Sequence, residues 1–110
     1  MINFLALPSF KKDLKRLSKK FRNVKSDITK LMTTLQDDPT SGIFIKQNIY
    51  KIRLKNSDIN SGKSGGYRVL YYYLNSKNEI IFFTIFSKVD TPNISDNDLD
   101  DLIKEYKSLD

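Results

Sequence analysis

Gly66-Tyr67-Arg68-Val69-Leu70-Tyr71-Tyr72-Tyr73-Leu74, then Asn75-Ser76-Lys77-Asn78, then Glu79-Ile80-Ile81-Phe82-Phe83-Thr84-Ile85-Phe86-Ser87 is the stretch that decides the fold. Aromatic and β-branched residues fill both long runs, and the polar tetrapeptide between them suits a hairpin loop. The second run is apolar on both faces, as a strand in the interior of a sheet requires. In the first run Tyr67, Val69, Tyr71 and Tyr73 share one face, and Arg68, Leu70 and Tyr72 share the other. Upstream, residues 49–55 alternate: Tyr50, Ile52 and Leu54 point one way, Lys51, Arg53 and Lys55 the other. Ser61-Gly62-Lys63-Ser64-Gly65-Gly66 reads as a flexible loop joining these two strands.

Working outward, Ile2, Phe4 and Leu5 before Pro8 predict a short opening strand. Ser9 is placed to cap the helix that follows, whose apolar stripe is Phe10, Leu14, Leu17 and Phe21. Val24, Ile28, Leu31, Met32 and Leu35 form the stripe of a second helix, ended by Asp37-Asp38-Pro39. Ser95 with Asp98 three residues on has capping-box spacing, and Leu99, Leu102, Ile103 and Tyr106 follow as a C-terminal stripe. The expected order is β-α-α-β-β-β-α. This is an α+β fold, an antiparallel sheet of about four strands packed against an N-terminal helical hairpin. A length of 110 residues makes it one domain, residues 1–110.

Leu, Ile, Val and Phe make up about a third of the chain, above the roughly 20% below which chains tend to stay disordered. With neither Cys nor His, the chain has no disulfide, no thiol nucleophile, no thiolate zinc site and no imidazole acid–base pair. Residues 1–10 form the longest uncharged run, about half of what a membrane span needs. That run is short, lacks a basic start and contains Pro8, unlike a secretory signal. A cytoplasmic location without membrane association is the expectation.

The net charge is +6, but residues 1–68 carry +10 and residues 69–110 carry −4. A basic body suggests a polyanionic partner. If Tyr50, Ile52 and Leu54 face the core with the Tyr67 set, Arg68 joins Lys51 and Arg53 on the opposite face. Lys88 ends the last strand, Lys63 sits in the glycine loop, and Tyr72 lies on the Arg68 face. Like charges side by side on a sheet cost stability, unless an anion fills the site. Arg grips a phosphate through two parallel hydrogen bonds, and a tyrosine stacks on an unpaired base. The alternative is a solvated strand face whose lysines guard an edge against aggregation. Gly62-Lys63-Ser64 is not a phosphate-binding loop, because Ser57 stands where that motif needs glycine and a strand follows. Asp96, Asp98, Asp100 and Asp101 fit the N-terminal dipole of their helix better than a cation site.

Tyr50-Lys51-Ile52-Arg53-Leu54, Gly66-Tyr67-Arg68-Val69-Leu70-Tyr71-Tyr72 and Ile85-Phe86-Ser87-Lys88 together resemble the RelE/ParE superfamily of bacterial type II toxins. The glycine loop and Asn93-Ile94-Ser95 look most like its HigB-like branch. The resemblance implies a ribosome-dependent mRNA endonuclease that inhibits translation and needs no metal or other cofactor. In such enzymes the RNA's own 2′-OH attacks the adjacent phosphorus. It also implies a cognate antitoxin as partner and operator binding by the complex. Lys51, Arg53, Arg68 and Lys88 match catalytic positions; Lys63, Tyr72 and Lys55 are the candidates for holding substrate. Two positions depart from the pattern. Val89 replaces an arginine common in RelE-like members, and Ser95 stands where the family has a tyrosine. The general base is open: a lysine depressed by its neighbours, Lys51 or Lys63, fits, and Tyr71 or Tyr72 could substitute for the missing tyrosine. The same departures suit ParE-like relatives that lack the nuclease site and poison DNA gyrase, which stands as the alternative.

Overall fold

A computed structural model describes residues 1–60, 65–91 and 93–109 of the chain. The strands are β1 (Asn3–Ala6), β2 (Ile43–Lys46), β3 (Ile49–Leu54), β4 (Tyr67–Leu74) and β5 (Glu79–Ser87), and the helices are α1 (Pro8–Lys20), α2 (Val24–Asp37) and α3 (Asp96–Lys107). They form an α+β fold around one sheet ordered β1-β5-β4-β3-β2. Two expectations are corrected. The sheet has five strands rather than about four, and it is mixed, because β1 runs parallel to β5 while the other neighbours are antiparallel. β2 escapes a sequence reading because it is four residues long with Ile43 and Phe44 exposed. Gln47 and Asn48, both at positive φ, turn it tightly into β3.

The helical hairpin covers one face, as the alternation requires. Phe10 and Leu17 of α1 and Val24, Ile28, Leu31 and Leu35 of α2 bury against Leu54, Tyr67, Val69, Tyr71, Ile80, Phe82 and Ile85. Gln36 ties α2 to the sheet edge. Its amide accepts from the Ile2 N–H at 2.9 Å and donates to the Ile2 carbonyl at 3.0 Å.

The opposite face is not the bare basic surface expected. Leu99 and Leu102 of α3 bury on Leu7, Ile49, Leu70, Ile81 and Phe83; full burial of each leucine contributes about 1.5–3 kcal/mol. The basic set is confined to the part of this face that the second core leaves uncovered. Ser95 caps α3, its hydroxyl accepting from the Asp98 N–H at 3.1 Å. Ser9 does not cap α1. Leu7 occupies the cap without a side-chain bond. The Glu105 carboxylate instead accepts from the Ser9 N–H at 2.9 Å and from the Ser9 hydroxyl. An acid from the last helix therefore completes the N-terminus of the first.

Tyr71 anchors the passage from α2 to β2. Its buried hydroxyl donates to the Pro39 carbonyl at 2.8 Å and accepts from the Gly42 N–H at 3.1 Å. Burial pushes its pKa up to about 12. A raised folded-state value keeps its contribution intact below the unfolded value near 10 and removes it as pH rises through about 12. Burial raises the Tyr67 phenol in the same direction. We therefore expect urea-unfolding stability to fall as pH rises from 10 to 12. Tyr71→Phe should flatten that fall while costing about 1–3 kcal/mol at pH 7 through its unpaired backbone partners.

Candidate functional site

β2 shields β3 only as far as the Ile43–Lys51 pair. Beyond Lys51 no strand among the described residues is paired to the outer side of β3. α2, the 41–43 segment and the chain after β3 close around that bare edge to form an open groove of about 810 Å³. Lys30, Lys51, Arg53, Lys55, Arg68 and Lys88 line it, and Asp27 is the one carboxylate among its described lining residues.

Strand register assembles the cations. Arg53 lies directly opposite Arg68, and Lys51 opposite Leu70. Arg68 is 6% exposed and its guanidinium donates to the Tyr67 carbonyl at 3.2 Å. Burial, and secondarily the Arg53 charge, pulls its pKa below the ordinary arginine value. The Lys88 N–H donates to the Gly66 carbonyl at 2.9 Å, which fixes the end of β5 against the start of β4. Gly66 makes this convergence possible. A Cβ there would meet the Leu54 carbonyl oxygen at 2.3 Å and the Asn56 nitrogen at 3.0 Å, so any side chain would force the two strands apart.

The rim past β3 is stiffened by side-chain-to-backbone bonds. Asp27, 2% exposed, accepts from the Ser57 N–H at 3.0 Å. The Asn56 side chain accepts from the Asp58 N–H at 2.8 Å. Asp58 in turn accepts from both the backbone and the side chain of Asn23. Asp27 is thus held at the wall of the groove rather than paired across it.

Lys51, Arg53, Lys55, Arg68 and Lys88 come together as the sequence suggested. Lys63 lies outside the described residues. Tyr72 does not join them: it stacks on Phe83 at 5.9 Å and tilts against Tyr106 of α3 at 4.9 Å, so it belongs to the second core. Tyr71 faces the hairpin core with its hydroxyl committed to the α2–β2 passage. Neither tyrosine is placed for proton transfer in the groove. Val89 is 73% exposed, and Ser95 is spent on capping α3. Sequence reading missed Lys30 and Asp27. Asp27 left a signal, an acid set into the buried stripe of Val24, Ile28 and Leu31; Lys30 left none.

Among the described residues no group of acidic side chains is arranged to hold a metal, and no helix is long and apolar enough to cross a membrane. No protein-family model matches the chain, and no curated protein matches its sequence.

Directly opposed like charges destabilise a strand pair by about 0.2–1 kcal/mol. Arg53→Ala should therefore leave the melting temperature unchanged or raise it. The difference from the parent should shrink between low salt and 0.5 M salt as the repulsion is screened.

Proposed function

We propose that this chain is the toxin of a type II toxin–antitoxin system, an endoribonuclease that cuts mRNA on the ribosome. The observation that carries the reading is the cross-strand Arg53–Arg68 pair inside a groove whose described lining holds six cations and one carboxylate. Two arginines at one cross-strand position suit a bound phosphodiester. The RelE-like sequence pattern, from Tyr50-Lys51-Ile52-Arg53-Leu54 to Ser87-Lys88, supports the same assignment.

The reaction asks little covalent work of the protein. The 2′-oxygen forms a bond to phosphorus as the P–O5′ bond breaks, leaving a 2′,3′-cyclic phosphate and a 5′-hydroxyl. The 2′-OH proton leaves, and a proton reaches the departing 5′-oxygen. Arg53 and Arg68 hold the phosphoryl oxygens and stabilise their added negative charge. Lys51 and Lys88 are the ammonium groups that can protonate the departing 5′-oxygen, the 2′-OH proton passes to solvent water, and Lys55 and Lys30 steer the flanking chain. No step calls for a metal or organic cofactor. The partners that follow are the ribosome with its mRNA and a cognate antitoxin whose acidic segment covers the groove. The toxin–antitoxin complex would act on operator DNA, and the setting is the cytoplasm.

Induced expression with primer extension on mRNA tests this. The parent chain should arrest growth and give cuts at codon-defined positions. Arg68→Ala and Lys51→Ala should each lose about 10²–10³-fold in cleavage. Lys51→Ala, a change at a half-buried position that belongs to neither core, separates that loss from unfolding. Growth arrest with intact mRNA and gyrase-dependent DNA breaks would overturn the proposal in favour of a gyrase poison. That reading draws on Val89 and Ser95, which supply neither an arginine nor a tyrosine.

A further inference from the structure

The exposed half of α1 carries a second basic surface, separate from the groove. Apart from its apolar stripe, the helix presents Lys11, Lys12, Lys15, Arg16, Lys19 and Lys20, all exposed. Arg16 pairs with Asp13 at 3.7 Å and Lys20 with Asp90 at 3.2 Å. Lys11, Lys15 and Lys19 have no ion pair among the described residues. Spaced four apart, these three stand one above another on a single line about 12 Å long.

This arrangement works against the helix. Like charges at i and i+4 are destabilising by a few tenths of a kcal/mol per pair. Lys11 also sits in the first turn, where the helix dipole disfavours cations, and the helix has no acidic residue of its own there. The dipole is answered from outside, by Glu105 on Ser9. Reaching across from α3, that one carboxylate lets the lysine line run up into the first turn of α1.

We infer that the Lys11-Lys15-Lys19 line is a docking surface for the sugar–phosphate backbone of double-stranded RNA. The row offers flexible point charges and no aromatic or Arg fork, which suits sequence-independent phosphate contact. No apolar side chain interrupts the exposed face, so there is nothing to insert into a bilayer. A protein interface would need a buried aromatic or aliphatic anchor, and the line has none. α1 packs over β5 and β1, whereas the groove opens at the bare edge of β3. The two surfaces are distinct: α1 lies in the helical layer, whereas Lys51, Arg53 and Arg68 belong to the opposite face of the sheet. The choice of RNA over DNA rests on the groove's reading; the basic line itself does not.

Fluorescence anisotropy of the full chain with a short labelled RNA duplex, over a salt series, tests the inference. In the Lys11→Ala/Lys15→Ala/Lys19→Ala variant the slope of log affinity against log salt should fall by about three, one for each lost phosphate contact. Its melting temperature should match or exceed the parent's, because alanine favours the helix and the repulsion is gone. The Arg68→Ala chain should keep the parental slope. An unchanged slope in the triple variant overturns the inference, whatever the groove does. So does tighter binding to duplex DNA of the same sequence, or to vesicles rich in anionic lipid, than to the RNA duplex. A parent chain that binds the duplex with the expected slope but cuts no mRNA would count against the groove's reading alone.

Discussion

Arg68 belongs to a strand whose first five residues, Tyr67 to Tyr71, are all buried. A charged side chain in that position is tolerated only where it reaches a polar opening. The bare edge of β3 is that opening. Its existence depends on β2 stopping at the Ile43–Lys51 pair and on Gly66 letting the chain pass against the Leu54 carbonyl. Were β2 longer, a neighbouring strand would close the edge beside Arg53. Were residue 66 anything but glycine, β4 would enter the sheet at another distance and the two arginines would no longer stand opposed. Sheet pairing, loop sterics and charge placement thus converge on one constraint.

Alternation made most of this legible. Period two in residues 49–55 and 67–74 divides core from cation, and the observed faces follow it residue by residue. The helical stripes of α1 and α2 are equally plain. What alternation does not carry is the third dimension of the opposite face. Leu70, Tyr72 and Arg68 look equivalent along the strand. α3 covers the first two, in whole or part, while Arg68 lines the groove. That placement is set by Leu99 and Leu102, some thirty residues away, and by the Glu105–Ser9 contact. The parallel pairing of β1 was likewise hidden, since nothing local to Asn3–Ala6 states its direction. Asp27 could have been noticed as a charge on an apolar stripe. The contribution of Lys30 depends on how α2 leans over β3, which no spacing rule gives.

The distribution of acid across the molecule gives the cations their exposure. Acidic residues are concentrated in α3, where Asp96 and Asp98 suit the first turn and Glu105 serves a different helix altogether. Among the described residues two of the cations on α1 are paired, with Asp13 and with Asp90 just after β5. Charge is segregated rather than interleaved, which makes the fold depend on ionic strength while leaving one side of the molecule open to anions.

The parallel edge has a consequence for when the molecule becomes complete. Asn3 pairs with Glu79, so the first strand finds its neighbour only after more than seventy further residues have been made. Local hairpins form early, whereas a contact of such long sequence separation closes late. During synthesis the nascent N-terminus must wait, with α1 unable to seat on β5, until the last strand has left the translating machinery. Maturation of the basic surfaces is in this way tied to synthesis of β5.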